Sequence, residues 1–281
     1  MARGRAVRGF GLAVTIAALS GLPVLANPTW DRGPASYVET IGQPPPPGPA
    51  RDRPAWPISA RLGSPTDRYD HDILGGIPRW TALAITALAC GACRGGRATY
   101  SFALPDDMVF EDIAPRLWDV TGDGRPEVVV VETALALGAR LAVWGFDSDG
   151  TITRLATTDF IGTPHRWLAP VAAGDLDGDG RIELAYVDRP HLARDLVIVR
   201  LAGPELREVA RATGFTAHRI GDRSITAALR SCGGGRAELI LPDATWSQLM
   251  ALRLTSGRIE ARQIAPMSAT ALSAAVDQSC D

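Results

Sequence analysis

Short apolar runs bounded by polar and turn residues recur along the chain in groups, and the stretch after Arg181, Ile182–Val187, alternates like a strand. In one group Arg116–Val120, Glu127–Glu132, Arg140–Phe146 and Thr151–Thr157 read as strands, with a turn from Asp147 to Gly150 joining the last two. The next group repeats the plan with Leu168–Asp175, Glu183–Val187, Asp195–Leu201 and Leu206–Arg211, turning at Gly203 and Pro204. A further group follows as Ile225–Arg230, Glu238–Leu241, Gln248–Leu254 and Arg258–Ile264, turning at Ser256 and Gly257. The first group offers Tyr69–Leu74, Trp80–Leu88 and Ala98–Leu104, and it lacks a leading strand. Ala271–Asp277 is read as a leading strand with no group behind it. No sustained helical periodicity competes with this pattern.

The groups are evenly spaced. Glu127 to Glu183 is 56 residues and Glu183 to Glu238 is 55. A fixed period of this length signals stacked supersecondary units such as propeller blades. The expected fold is all-β, a β-propeller of four blades of about 55 residues. In it the C-terminal strand Ala271–Asp277 completes the first blade and closes the ring, removing edges that would otherwise pair with other chains.

The same spacing carries a metal signal. Asp175, Asp177 and Asp179 occupy positions one, three and five of a tight loop, and Glu183 occupies position nine. Alternating carboxylates converge their oxygens on one point, Gly180 permits the turn, and Arg181 at position seven offers its carbonyl. A helical EF-hand would need a glutamate at position twelve, where Tyr186 stands, so the loop leads into a strand. An upstream copy keeps Asp119, Asp123 and Glu127, with Thr121 in place of the middle aspartate and Arg125 at the carbonyl position. A third copy, Arg230–Glu238, retains its glycines, Arg236 and Glu238 but has lost the aspartates. Two calcium sites are expected, and the 175–183 loop, with four carboxylates against three, is expected to fill first. Asp147 and Asp149 lie on a hairpin and read as an ordinary turn.

An Asp-x-Asp-Gly-Asp-Gly-x-x-Glu loop followed by an apolar strand resembles the FG-GAP/VCBS repeats of integrin-type β-propellers. The resemblance covers roughly residues 60–281, strongly in two repeats. Of the Phe-Gly…Gly-Ala-Pro signature only Phe160 to Gly162 and Leu168 to Pro170 give a hint. The family implies structural calcium and a propeller that binds partners, and it does not imply an enzyme.

The ends of the chain look different. Residues 1–26 combine Arg3, Arg5 and Arg8 with an apolar run from Leu12 to Leu25, and read as a signal peptide cleaved after Ala26. The alternative is an uncleaved anchor, although Gly21 and Pro23 interrupt the run and it is short for a span. Residues 27–60 are rich in proline, with Pro44–Pro47 unbroken, and read as a linker; a proline-motif partner site is the alternative. Residues 61–281 form the propeller domain. The expected protein is therefore exported, periplasmic or extracellular, with no transmembrane segment in the mature chain.

Charge narrows the partners. The net charge is −2, falling to −5 without the signal's three arginines, and the chain has no lysine. No basic patch or aromatic-interleaved basic run occurs, so nucleic acid is not an expected partner. A protein or glycan partner remains.

Export favours disulfides among the four cysteines. Cys232 sits in the degraded loop and Cys280 in the terminal one, so they are expected to pair, with Cys90 and Cys93 pairing locally at a hairpin tip. A thioredoxin-like redox pair and a four-cysteine zinc site are the alternatives. His165 with Arg166 and His218 with Arg219 recur before equivalent strands, as a candidate ligand rim or as turn residues. The histidines His71, His165, His191 and His218 are scattered in sequence, and no nucleophile elbow, zincin motif or nucleotide loop appears. The reading is an exported calcium-binding propeller acting as a binding or interaction module. The alternative is a periplasmic hydrolase or lyase using the central propeller face.

Overall fold

A computed structural model describes Met1 and residues 55–88, 96–233 and 236–280. Every element below lies within residues 56–276. Strands β1 (Trp56–Thr66), β2 (Arg79–Leu88) and β3 (Arg97–Ala103) make a three-stranded antiparallel meander. The short β4 (Met108–Phe110) leads to three four-stranded antiparallel meanders. These are β5 (Arg116–Trp118), β6 (Glu127–Ala134), β7 (Gly138–Phe146) and β8 (Ile152–Thr157). Next come β9 (Leu168–Gly174), β10 (Glu183–Asp188), β11 (Asp195–Ala202) and β12 (Glu205–Thr213). The last meander is β13 (Ala228–Ser231), β14 (Ala237–Pro242), β15 (Gln248–Thr255) and β16 (Arg258–Pro266).

Narrow bridges link the first three meanders into one twelve-stranded sheet, while the last stands as a separate four-stranded sheet. β4 pairs with β6 and meets β2 at Trp80 and Phe110, and Thr157 bridges to Glu205 between β8 and β12. The β6 sequence explains how neighbouring meanders pack. Its valines are buried on both faces, so the strand reads as a continuous apolar run. Val128 and Val130 join a cluster with Leu83 and Ile85 of the first meander, whereas Val129 and Val131 join Leu168 and Leu184 of the third. Each such valine contributes roughly 1.5–3 kcal/mol by leaving water.

Three expectations are corrected. The proline-rich stretch does not run to residue 60, because β1 begins at Trp56. Pro57 and Pro65 weaken its strand signal, yet β1 pairs only with β2, and an edge tolerates residues that cannot donate to a ladder. Tyr69–Leu74 is a loop rather than a strand. Tyr69, Ile73, Leu74 and Ile77 are buried, and the last three join a cluster with Trp167 and Ala217. The backbone turns there at Gly75, where φ is +61° and a Cβ would lie 2.3 Å from the Gly221 carbonyl oxygen.

The third correction concerns closure. Ala271–Asp277 is no strand; Ala269–Val276 form helix α1. Four alanines favour a helix, and Ser268 caps it by accepting the Ala271 N–H at 3.0 Å. Ala275 is buried with Ile240, Leu249 and Ala251. The first meander therefore has no C-terminal strand within it. The Cys232–Cys280 disulfide is present, with Cα atoms 5.2 Å apart, although Cys280 follows a helix instead of a closing strand. The Cys90–Cys93 pair lies outside the described residues. No helix among the described residues is long and apolar enough to cross a membrane.

Candidate functional site

The acidic loops connect the first and second strands of successive meanders, and their glycines fix a common shape. Gly122 and Gly124 in one loop and Gly178 and Gly180 in the other all have φ between +76° and +85°. That region is open to glycine at no steric cost. In the first loop, Asp119 accepts N–H bonds from Gly122 at 2.7 Å, Asp123 at 3.2 Å and Gly124 at 2.8 Å. In the second, Asp175 accepts from Gly178 at 2.6 Å and Gly180 at 2.9 Å. Asp123 and Asp179 each accept the N–H of the arginine two residues on, Arg125 and Arg181. The loops stand side by side. A Cβ on Gly122 would touch Ile182 of the second loop, and one on Gly178 would collide with Arg236 of the third.

Each loop ends on a buried glutamate, and the surroundings of these three residues differ. Glu127 accepts the Val120 N–H at 2.7 Å and the Thr121 N–H at 3.2 Å, with the Thr121 hydroxyl donating at 3.3 Å. Burial pushes its carboxyl up, and Asp123 and Asp119 add repulsion. Among the described residues no arginine pairs with it; Gly145 lies beside it, and a Cβ there would lie 3.0 Å from Glu127 Cγ.

Glu183 accepts the Leu176 N–H at 2.9 Å and also meets Arg200. Arg200 Nε donates to Glu183 Oε1 at 2.6 Å, while its terminal nitrogens reach Asp177 at 3.0 Å and Asp179 at 3.2 Å. Burial raises Glu183 as well, but Arg200 works against the shift. The Arg181 N–H holds Asp179 below the usual carboxylate range.

Glu238, in the third copy, is surrounded by guanidinium groups. Arg230 pairs with it from β13, Arg253 from β15 and Arg262 from β16. Cys232 and Cys280 lie near Glu238, but as a disulfide they offer no thiolate to a metal.

One observation tests whether the aspartate-rich loop fits calcium. Oxygens of Asp175, Asp177 and Glu183 all lie within 4.8 Å of one another. Two ligands on a calcium ion at about 2.4 Å stand at most about 4.8 Å apart, so the set fits. Among the described residues Asp179 is not part of this set, and Asp119, Asp123 and Glu127 of the first loop form no such set, although Asp119, Thr121, Asp123, Arg125 and Glu127 match Asp175, Asp177, Asp179, Arg181 and Glu183 position for position.

A second constellation has no signature in the linear sequence. The four histidines, far apart along the chain, gather on connecting loops. His71 Nδ1 lies 2.7 Å from Oε1 of Glu111, which is fully buried and also accepts from the Thr133 hydroxyl at 3.0 Å. His165 stacks on Tyr69 at 5.0 Å, meets His71 edge-on at 5.5 Å, and reaches Asp70 at 2.8 Å. His191 Nε2 lies 3.0 Å from His218 Nδ1, and His218 Nε2 lies 3.0 Å from the Asp222 carbonyl. A carbonyl only accepts, so neutral His218 carries its proton on Nε2 and accepts from His191. Trp167 joins the halves, donating to the Glu111 carbonyl at 2.7 Å and packing edge-on against His218.

Burial dominates the electrostatics at this centre. It lowers His191 to about 4, helped by His218 and His71, and it lowers His218. It raises Glu111, and it raises Tyr69 to about 12 with help from Glu111. The expected rim of His165, Arg166, His218 and Arg219 is uneven. His165 is exposed, whereas His218 is buried. Arg166 folds onto its neighbour's carbonyl, and Arg219 stacks over Trp246 at 4.0 Å.

A family model described as FG-GAP-like repeat matches residues 119–186, the span from Asp119 through the end of the second loop into β10. No curated protein matches the chain.

Proposed function

We propose that the chain is an exported calcium-binding β-propeller that acts as an interaction module, its successive meanders serving as blades. The observation that carries this reading is the pair of matched loops, in adjacent meanders, within the span that matches a repeat model. Asp119, Asp123 and Glu127 would hold one calcium ion, and Asp175, Asp177, Asp179 and Glu183 the other. Carbonyls of Arg125 and Arg181 would complete the sets. Bound calcium neutralises the carboxylates and ties the end of one strand to the start of the next. The protein or glycan partner would then meet a surface held rigid by those loops. The disulfide is consistent with the oxidising compartment that export implies.

Calorimetric titration of the protein with calcium, after chelation, tests this directly. Two sites with dissociation constants near about 10⁻⁴–10⁻³ M are expected, together with a metal-dependent rise in melting temperature. Silence at millimolar calcium would sink the proposal.

The histidine centre favours a second reading, a periplasmic hydrolase or lyase on the central face. A buried carboxylate that orients an imidazole is the arrangement a general base needs, and His71 with Glu111 supplies it. Turnover in a hydrolase and lyase substrate screen, abolished in His71→Asn, would select this reading; no turnover on any substrate class would reject it, and turnover retained in the variant would reject His71 as its base.

A further inference from the structure

The geometry points to a binding site for a small oxyanion, a carboxylate, sulfate or phosphate, at the arginine cluster of the last meander. Glu238 is 1% exposed and a single paired guanidinium neutralises it, a task that Arg230, also 1% exposed, performs from the facing strand. Arg253 and Arg262 are additional. They bring three positive charges to one carboxylate. Partly buried charge of one sign calls for a counter-ion.

Hydrogen bonding within the cluster is incomplete: Glu238 Oε1, although close to Arg253 Nε, is buried without a hydrogen-bond partner among the described residues. Each guanidinium carries five N–H donors and accepts nothing. Arg262 Nε is buried with no hydrogen-bond partner among the described residues. Glu260, opposite Arg253 in the register of β15 and β16, forms no ion pair with these arginines among the described residues.

Space is present at the same place. A polar cavity of about 400 Å³ is lined by Arg230, Arg262, Gln263, Ile264, Gln278 and Ser279. Its volume suits a small acid or an inorganic oxyanion better than an extended polymer. Arg230 spends its fork on Glu238 and a further N–H on the Ala275 carbonyl, so the guanidinium in the wall that is placed to meet carboxylate or phosphate oxygens is that of Arg262. The amides of Gln263 and Gln278 add neutral hydrogen-bonding groups to the wall. This is the fourth-meander counterpart of the acidic loops, with the sign of the ligand reversed, and it does not depend on calcium.

The test uses the full chain in chelator, at constant ionic strength, with inorganic sulfate, inorganic phosphate and acetate as separate probes. Sulfate and phosphate stabilise proteins generally at high concentration, so the readout is a saturable rise in melting temperature at low millimolar anion. Arg262, whose side chain is 41% exposed, is the residue to change, because loss of Arg230 endangers folding. Arg262→Gln is expected to weaken binding at least tenfold, and Arg262→Lys to retain part of it. Saturation by sulfate or phosphate identifies a tetrahedral ligand, and saturation by acetate alone identifies a carboxylate. Saturation by none of the three, or an identical response in Arg262→Gln, overturns the proposal.

Discussion

Loops 119–127 and 175–183 share backbone, glycines and terminal glutamate, but neutralise their carboxylates differently. In the first loop Glu127 accepts from the N–H groups of Val120 and Thr121 and, among the described residues, pairs with no guanidinium. Arg200 reaches three carboxylates of the second. The third copy carries the trend to its end, with three arginines on Glu238 and no aspartates. One buried carboxylate thus recurs three times, and its counter-charge passes from none, to one arginine, to three. A repeat can keep its fold while losing its aspartates, provided that fixed cations balance the buried carboxylate that remains.

This comparison revises the expected order of calcium binding. Four carboxylates against three favoured the 175–183 loop. Arg200 cancels that difference, since four negative charges with one positive equal three. We propose that the two sites fill together.

The third copy gives the largest expected effect. Glu238→Gln leaves Arg230 buried with no carboxylate beside it, and removing one partner of a buried pair costs about 3–5 kcal/mol. Urea unfolding measures it. A loss below about 1 kcal/mol would mean that Arg230 finds another acceptor and that the series of replaced cations is misread.

A smaller effect, of opposite sign in two conditions, separates the first loop from the second. Arg200→Gln exposes Glu183 and Asp177 to mutual repulsion in the absence of metal, so the chelated protein should melt earlier. The same change should tighten calcium at that loop by about tenfold, or about 1.4 kcal/mol. Calorimetry on the variant would then show the 175–183 site filling first. If both sites kept wild-type affinity, Arg200 would not be acting as an internal counter-ion.

The structure also shows what the linear pattern could and could not convey. The acidic loops and the strands of the last three meanders were legible, because turn residues and the short apolar runs they bound are local. Arg200 was not legible as a partner of Glu183. It comes from the next strand, where register pairs Glu183 with Arg200, while the β14–β15 register brings Arg253 to Glu238. The turns differ in length, so the separations are 17 and 15 residues, and no fixed spacing announces the pairing. β1 was hidden by Pro57 and Pro65, and α1 by an apolar run too short to distinguish helix from strand. The histidines were invisible as a group because His71, His165, His191 and His218 meet only when their connecting loops come together. In each case the missing information was long-range.

The most local prediction concerns the first loop alone. Burial raises the Glu127 carboxyl, with repulsion from Asp123 and Asp119 adding to it, so the folded state holds that proton more tightly than the unfolded chain. The favourable contribution is complete below the ordinary glutamate range near pH 4.5, and it is lost as pH rises through the raised folded value. In chelator, Glu127→Gln should therefore flatten the part of the stability profile that declines upward from about pH 4.5. Calcium should flatten the wild-type profile at the same pH values, because it favours the ionised carboxylate. The variant should then show little further change when calcium is added at the first loop. Chemical unfolding between pH 4 and pH 7, with and without calcium, checks the sign. A variant whose profile remains parallel to that of the wild type in chelator would place the titrating group elsewhere, and the first loop would no longer differ from the second in the way its missing arginine implies.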